Sequence, residues 1–129
     1  MESTSVFELA GCRVEPQRNR VSNDSGEVLL EPRVMDVLVS LSSHHPEVVS
    51  RDQLIDDAWE GRAVTDEVVN RSVFELRKAF RELDVEHDVV ETVRKRGYRL
   101  AVAPGVAPTF EVAQKSRNSF LPGPNQANV

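Results

Sequence analysis

The first thirty residues alternate apolar and polar side chains in four short runs, at residues 6–9, 12–15, 20–22 and 28–30. In the second run Cys12 and Val14 alternate with Arg13 and Glu15, which is the period-two pattern of a strand buried on one face. Glycine, proline, asparagine and aspartate separate the runs and are typical of tight turns. The pattern predicts a small antiparallel sheet of four strands, with the Cys12 side chain turned towards the core.

After residue 30 the apolar positions recur at helical spacing. Pro32 can occupy the first turn of a helix, where its missing N–H is not needed. Val34, Leu38 and Leu41 follow on one face, and His44-His45-Pro46 ends this first helix. Because the helix has so many apolar side chains, we predict a central position for it in the fold.

Two further helices follow. The second begins after Ser50, where Gln53 three residues later completes a capping-box pattern, and it stops at Gly61. The third runs from Thr65, a predicted N-cap, to about Leu83. Its inner face consists of apolar residues three or four positions apart, namely Val69, Val73, Leu76 and Phe80.

The last patterned segment is a β-hairpin. Residues 89–93 and 98–102 are rich in β-branched and aromatic side chains, and Arg94-Lys95-Arg96-Gly97 separates them. The sequence therefore predicts a hairpin with a strongly basic tip.

The composition changes after the hairpin. Four of the seven prolines fall beyond residue 102. We therefore predict one domain over residues 1–102, followed by a flexible tail or linker over residues 103–129. Within that tail, residues 109–113 can add one strand.

Composition argues against several classes of protein. No apolar run approaches the roughly 18 residues that a membrane span needs, and no signal peptide opens the chain. A single cysteine forms no internal disulfide, which favours a reducing cytosol and a cytoplasmic location. The net charge of −5 argues at first sight against a nucleic-acid partner, but the distribution of charge can matter more than its sum.

Basic residues are concentrated on the third helix and the hairpin. From Asn70 to Arg81 four basic side chains stand against one acidic side chain, and residues 92–99 carry four basic side chains and no acid. A helix fits the major groove of DNA, where arginine and asparagine can pair bidentately with guanine and adenine edges. A basic hairpin tip can bind phosphate or enter the minor groove. The predicted DNA contacts in these two elements are Asn70, Arg71, Phe74, Glu75, Arg77, Lys78, Arg94, Lys95 and Arg96.

Three segments carry a resemblance to a known family. They are EPRVMDVLVSLSSHHPEVVSRDQLIDDAWEG, VTDEVVNRSVFELRKAF and VVETVRKRGYRL, which together with the preceding strands cover about residues 5–102. In this order and spacing they resemble the OmpR/PhoB-type winged-helix DNA-binding domain. Within that family they are most similar to the CadC/ToxR-like one-component regulators of bacteria.

The resemblance implies an α+β fold, a winged helix-turn-helix with a four-stranded N-terminal antiparallel sheet, three helices and a C-terminal β-hairpin wing. It also implies sequence-specific binding of double-stranded DNA for transcription regulation, with the third helix in the major groove. The loop from Glu60 to Thr65 is then expected to contact RNA polymerase. The positions that match DNA-contacting sites of the family are Arg71, Phe74, Glu75 and Arg77 on the helix and Thr92 and Arg94 on the wing. Ser50 and Arg51, at the start of the second helix, complete the predicted set.

Three residues depart from the family pattern. Glu31 stands where relatives often have a threonine cap, which weakens the expectation of a cap there. Glu75 occupies a position that is basic in some relatives; it repels phosphate but can accept a hydrogen bond from a cytosine amino group. Phe74 is large and apolar on a face exposed to solvent, where it either meets a thymine methyl group or packs against the wing.

Two other functions stay open at this point. A winged helix that binds only proteins fits the net charge but not the two basic clusters. A hydrolase built on Asp56 and Asp57 is disfavoured, because adjacent helical residues point about 100° apart and no histidine or cysteine joins them. We expect no enzyme activity, no cofactor and no bound metal.

Charge and resemblance also suggest how the domain assembles. An acidic body with one small basic face predicts a monomer in free solution and pairing of two domains on DNA. Because few residues precede the first strand, we expect no receiver domain in this sequence. A membrane is expected as a partner only if a longer parent protein contains a downstream span.

Overall fold

The structure, a computed structural model, describes residues 6–106. The elements in chain order are strands β1 (Phe7–Leu9), β2 (Cys12–Glu15), β3 (Arg20–Asn23) and β4 (Gly26–Leu29), helices α1 (Pro32–His44), α2 (Arg51–Trp59) and α3 (Asp66–Glu82), and strands β5 (Val90–Val93), β6 (Gly97–Leu100) and β7 (Gly105–Val106). Up to β6 this is the predicted order of strands and helices. The predicted strand at 109–113 and most of the predicted tail lie outside the described residues.

The N-terminal sheet is an antiparallel meander with the strand order β4-β3-β2-β1-β7. Its inner face carries Leu9, Cys12, Val14 and Val21, all of them buried, which confirms the predicted period of two. The sheet has one short strand more than the four predicted, because β7 pairs with β1. The domain boundary at residue 102 stays a prediction, although β7 lies just beyond it.

Helix α1 lies at the centre of the core, as predicted. Pro32 is its first residue, and Glu31 precedes it without a side-chain cap. Val37, Leu38 and Leu41 are completely buried, and the helix packs against α2, α3 and β6. The two following helices are therefore positioned by their contacts with α1.

Helices α2 and α3 begin at the predicted caps. Ser50 Oγ accepts a hydrogen bond from the Gln53 N–H at 3.0 Å, and Thr65 Oγ1 accepts one from the Val68 N–H at 3.4 Å. The capping box of α2 is only half formed, because the Gln53 side chain donates to Asp57 Oδ1 at 2.8 Å. The predicted inner face of α3 is buried along its whole length, at Val69, Val73, Leu76 and Phe80.

The turn between β3 and β4 holds the C-terminal end of α3. Asn23 Nδ2 donates to the Leu83 carbonyl at 2.7 Å, and Ser25 Oγ donates to Asp84 Oδ2 at 2.9 Å. Leu83 is the C-cap of α3, so Asn23 pairs a carbonyl for which the helix itself has no donor. These two contacts fix the position of α3 relative to the sheet.

One carboxylate of the sheet is buried among arginines. Glu15 Oε1 accepts from Arg20 Nε at 2.7 Å, and Arg13 and Arg18 approach its other oxygen at 3.7 and 4.0 Å. Burial raises the pKa of Glu15, but the Arg20 hydrogen bond and the neighbouring positive charges outweigh it and hold the pKa below its usual value. Glu15 is therefore ionised in the folded domain at neutral pH.

Candidate nucleic-acid interface

Helix α3 presents one strip of its surface to solvent. Arg71, Phe74 and Lys78 follow at intervals of three and four residues, so they lie on one side of the helix. All three are exposed, and Phe74 retains 55% of its accessible surface. We call these three residues the outer strip. The strip combines two cations with an apolar ring that the wing leaves largely uncovered.

On the flank of α3 that faces the hairpin, Arg77 joins the helix to β5. Its Nη2 donates to the Val90 carbonyl and to Thr92 Oγ1, both at 2.9 Å, and its Nε donates to the same carbonyl at 3.3 Å. The sequence predicts Arg77 and Thr92 as separate DNA contacts, whereas the structure makes them partners of each other. Within residues 6–106 the bonds of Arg77 use Nε and Nη2, and the Nη1 group has no hydrogen-bond partner.

Beside this contact, three side chains from α2, α3 and β6 form a polar cluster. The Tyr98 hydroxyl donates to Asn70 Oδ1, and Arg51 Nη2 donates to both Asn70 Oδ1 and the Tyr98 oxygen at 3.3 Å. The Arg51 guanidinium also lies 5.3 Å from the centre of the Tyr98 ring, within the range of a cation–π interaction. The structure thus brings Arg51 and Asn70 together, while the predicted contact Ser50 serves as the cap of α2.

The start of β6, next to the hairpin turn, is attached to the segment between α1 and α2. The Val49 N–H donates to the Tyr98 carbonyl at 2.7 Å, and the Tyr98 N–H donates to the Val49 carbonyl at 3.0 Å. Gly97 permits this close approach because it has no Cβ. Sequence reasoning missed the role of Val49, and the glycine directly before an aromatic residue is the signal that points to it.

The turn of the hairpin carries three exposed basic side chains, Arg94, Lys95 and Arg96. Lys95 has a φ of 67°, and the Arg96 N–H closes the turn by donating to the Val93 carbonyl at 2.9 Å. Arg99 differs from these three because it pairs with Glu91 on the neighbouring strand at 2.9 Å. The count of basic residues over 92–99 therefore overstates the uncompensated charge of the hairpin.

Glu75 lies on the flank of α3 away from the hairpin. Together with Lys78 and Glu82 it lines a depression of about 270 Å³ whose other wall is the connection from β4 to α1. Glu75 is half-buried there. The residues predicted as one DNA-facing surface of α3 therefore divide into the outer strip, a hairpin flank with Asn70 and Arg77, and Glu75 on the opposite flank.

The loop between α2 and α3 is tightly turned and exposed. Glu60 and Gly61 have φ angles of 57° and 77°, and the Gly61 N–H donates to the Ile55 carbonyl at 3.1 Å. Arg62 lies beside Glu60 with an N···O distance of 3.9 Å. The loop that the sequence predicts to contact RNA polymerase therefore presents charged side chains to solvent.

The acidic pair of α2 has a structural explanation. Asp57 accepts from Ser40 Oγ at 2.6 Å and from the Gln53 side chain at 2.8 Å, so it ties α2 to α1, and both Asp56 and Asp57 are exposed. No cluster of histidine, cysteine and acidic side chains with the arrangement of a metal site occurs among residues 6–106. Over the same residues, no helix has the length and apolar character to cross a bilayer.

Comparison of the sequence with known proteins identifies a family. The family model described as "Transcriptional regulatory protein, C terminal" matches residues 25–100. Over 90 residues the chain is 44% identical to the transcriptional activator CadC of Escherichia coli K12. The aligned residues make up 69% of this chain and 18% of CadC. Over 101 residues it is 31% identical to the phosphate regulon transcriptional regulatory protein PhoB of Pseudomonas aeruginosa, covering 78% and 43% of the two chains. The chain thus spans less than half the length of these relatives.

Solved structures agree with this result. The DNA-binding domain of E. coli CadC superposes with a TM-score of 0.73 at 37% identity, covering 82% of this chain and 100% of that one. The DNA-binding domain of Klebsiella pneumoniae RstA, solved in complex with the RstA box, shares the fold with a TM-score of 0.61 at 24% identity, covering 76% and 98%. The chain belongs to the family of transcriptional regulatory protein C-terminal domains, the OmpR/PhoB-type winged-helix DNA-binding domains.

Proposed function

We propose that this domain binds double-stranded DNA sequence-specifically and so regulates transcription, with α3 in the major groove and the hairpin as the wing. One observation carries the proposal: two exposed basic surfaces are held in a fixed relation to each other. The outer strip of α3 supplies the first, and the hairpin tip supplies the second. The contacts of Arg77 with β5 and of Tyr98 with Asn70 connect them. A helix placed among base edges with an adjacent phosphate contact needs this kind of fixed geometry.

The relatives support the same role. CadC is a transcriptional activator with a solved DNA-binding domain, and the RstA domain was solved on its DNA box. We place the domain in the cytoplasm, where it has access to the chromosome. A membrane becomes a partner if the parent protein contains a span. We expect no catalytic activity, because Asp57 of the acidic pair on α2 accepts hydrogen bonds from Ser40 and Gln53 and so has a structural role.

Two partners beyond DNA belong to the proposal. The loop from Glu60 to Thr65 directly precedes α3 and is exposed and charged, so we assign it to contact with RNA polymerase while α3 is bound to DNA. A second copy of the domain is the other partner. The net charge of −5 opposes association of free monomers, whereas adjacent half-sites on DNA bring two domains together.

Selection of bound duplexes from a random pool, followed by affinity measurements at several salt concentrations, tests the proposal. We expect one recurring sequence motif and a steep loss of affinity with salt, because basic side chains displace counterions from phosphate. A domain that binds only proteins, the alternative favoured by the net charge, would enrich no motif and would show no salt dependence.

A pair of matched variants sharpens this test. Arg71→Ala removes a cation from the outer strip and is expected to cost about 1–3 kcal/mol on the selected site, with blurred preference at one base position. Arg18→Ala removes the same charge from the helical turn between β2 and β3, where the side chain is 69% exposed, and is expected to leave the motif unchanged. If the Arg71 variant selects the wild-type motif, Arg71 has no part in base recognition.

A further inference from the structure

The polar cluster of Arg51, Asn70 and Tyr98 determines which end of the Asn70 amide faces the protein. A guanidinium group has N–H donors and no acceptor, so the Asn70 atom beside Arg51 Nη2 must be the oxygen. The Tyr98 oxygen also accepts from Arg51 Nη2, and its one proton goes to the same Asn70 oxygen. Two donors therefore converge on Oδ1. A flipped amide would place its own N–H hydrogens against those of Arg51.

The rest of the cluster resists rotation of the amide. Tyr98 is only 4% exposed, and its hydroxyl would lose its acceptor if Asn70 turned away. The guanidinium would lose a hydrogen bond in the same movement. Leaving partly buried donors without an acceptor is unfavourable, so the amide keeps its orientation in the absence of DNA.

The Asn70 Nδ2 group is left for an outside partner. Within the described part of the chain no acceptor bonds to it, and Asn70 is exposed. Asn70 precedes Phe74 by one helical turn, at the edge of the outer strip nearest the hairpin. Its two N–H hydrogens are thus presented beside the surface assigned to DNA.

We propose that Asn70 recognises DNA as a hydrogen-bond donor only, and so selects a base whose major-groove edge offers an acceptor. Guanine N7 and O6, adenine N7 and thymine O4 are such acceptors, whereas cytosine presents an amino donor there. Bidentate pairing of Asn70 with adenine is excluded, because that pairing requires the amide oxygen that Arg51 and Tyr98 already occupy. The inference rests on the proposed function and specifies the chemistry of one of its contacts. It replaces the sequence-based expectation of bidentate pairing at this residue.

Asn70→Asp tests the inference, because aspartate keeps an oxygen for Arg51 and Tyr98 but has no donor. Thermal unfolding should show a folded domain. On the wild-type site we expect about a three- to tenfold loss of affinity, the effect of one hydrogen bond. Selection should now admit cytosine at one position, since its amino group can donate to a carboxylate. An unchanged motif would overturn the inference, because it would show that Asn70 contacts no base. An equal loss of affinity on all sequences would also overturn it, because it would indicate a phosphate contact.

Base analogues separate the lost donor from the added negative charge. The contacted acceptor is removed with a base analogue: a 7-deazapurine for purine N7, 2-aminopurine for guanine O6, or 5-methyl-2-pyrimidinone for thymine O4. The wild-type domain should lose affinity on the analogue, and the Asn70→Asp variant should bind both duplexes equally. A charge effect alone would leave the variant as sensitive to the analogue as the wild type, and this would overturn the inference.

Tyr98→Phe provides an independent test, since it removes one donor from Asn70 Oδ1 and keeps the ring. We expect the freed oxygen to broaden the preference at the same position towards adenine. An unchanged preference would show that Tyr98 does not orient the amide. If the wild-type domain enriches no motif at all, the proposed function itself fails, and that result differs from every outcome expected for the variants.

Discussion

Gly97 rests directly on the backbone of Val49: a Cβ added to Gly97 would lie 2.0 Å from the Val49 carbonyl oxygen and 2.8 Å from its carbonyl carbon. The hairpin is therefore held against the helical core by backbone contact at the end of β6 next to the turn. This contact lies directly beside the turn and leaves the side chains of Arg94, Lys95 and Arg96 exposed.

Gly97→Ala is expected to push the hairpin away from Val49 and to destabilise the domain. Gly26→Ala is the matched control, because Gly26 has a similar φ of 150°, against 143° at Gly97, with nothing within 4 Å of an added Cβ. The control measures the cost of the backbone conformation alone. We expect the Gly97 variant to lose about 1–3 kcal/mol more free energy of unfolding, the usual cost of forced overpacking. Equal losses in chemical denaturation would contradict the steric explanation.

Arg77→Lys should resemble Arg77→Ala in stability, although it keeps the positive charge. A lysine cannot donate from two nitrogens in a fixed fork, so the bonds to Val90 and Thr92 are lost. We expect a decrease of roughly 1–2 kcal/mol in the free energy of unfolding, at the low end for charge-assisted hydrogen bonds because Arg77 is partly exposed. The exposed Lys78→Ala is the control and should unfold like the wild type. Wild-type stability of Arg77→Lys would mean that Arg77 acts only through its charge.

The hairpin tip is expected to contribute to affinity without contributing to base preference. Arg94→Ala and Arg96→Ala should each weaken binding to all DNA sequences nearly alike. Each should also lower the steepness of log affinity against log salt by about one, the contribution of one phosphate contact. Arg99→Ala should reduce it less, because Glu91 already compensates Arg99 at 2.9 Å. The measurement is the slope of log affinity against log salt. A loss confined to sites with A·T-rich flanks would instead assign the wing to recognition of minor-groove width.

Glu15→Gln should lower stability at neutral pH and make it less sensitive to acid. The folded pKa of Glu15 lies below its usual value, so its contribution is present above the unfolded pKa of about 4.3 and is lost as the pH falls through the lower folded pKa. The difference in unfolding free energy between wild type and variant should therefore shrink as the pH is lowered below about 5. Glu27→Gln, at a 58% exposed partner of Arg20, is the control and should change little. A difference that stays constant with pH would contradict the role of the carboxylate charge.

Local signals explain why most of the fold was predictable. The caps Ser50 and Thr65 and the buried face of α3 lie within a few residues of the elements they define. Strand β7 gave no comparable signal, because two residues have no periodicity and their pairing with β1 spans nearly the whole described chain. Non-local pairing is decided by the packed fold, which a single sequence does not display.

For the candidate site, the sequence predicted which residues are exposed on α3 but not which partners they have on other elements. Helical spacing alone places Arg71 and Lys78 on the outer face of α3. It does not indicate which flank meets the hairpin, and for that reason the partnership of Arg77 with Thr92, 15 residues apart, was missed. The same applies to Arg51 and Tyr98, 47 residues apart, which together engage the acceptor oxygen of Asn70 and leave its NH2 group as a donor.

Strand β7 determines where mechanical load enters the domain. After the hairpin, the chain returns to the sheet and pairs at Gly105 and Val106 with Glu8 and Phe7 of β1. The hairpin strands β5 and β6 form a separate sheet. Tension applied to the chain beyond residue 106 is therefore carried first by the ladder between β7 and β1. This ladder and the basic turn lie on different sheets, so such tension acts on the edge of the N-terminal sheet and not directly on the hairpin.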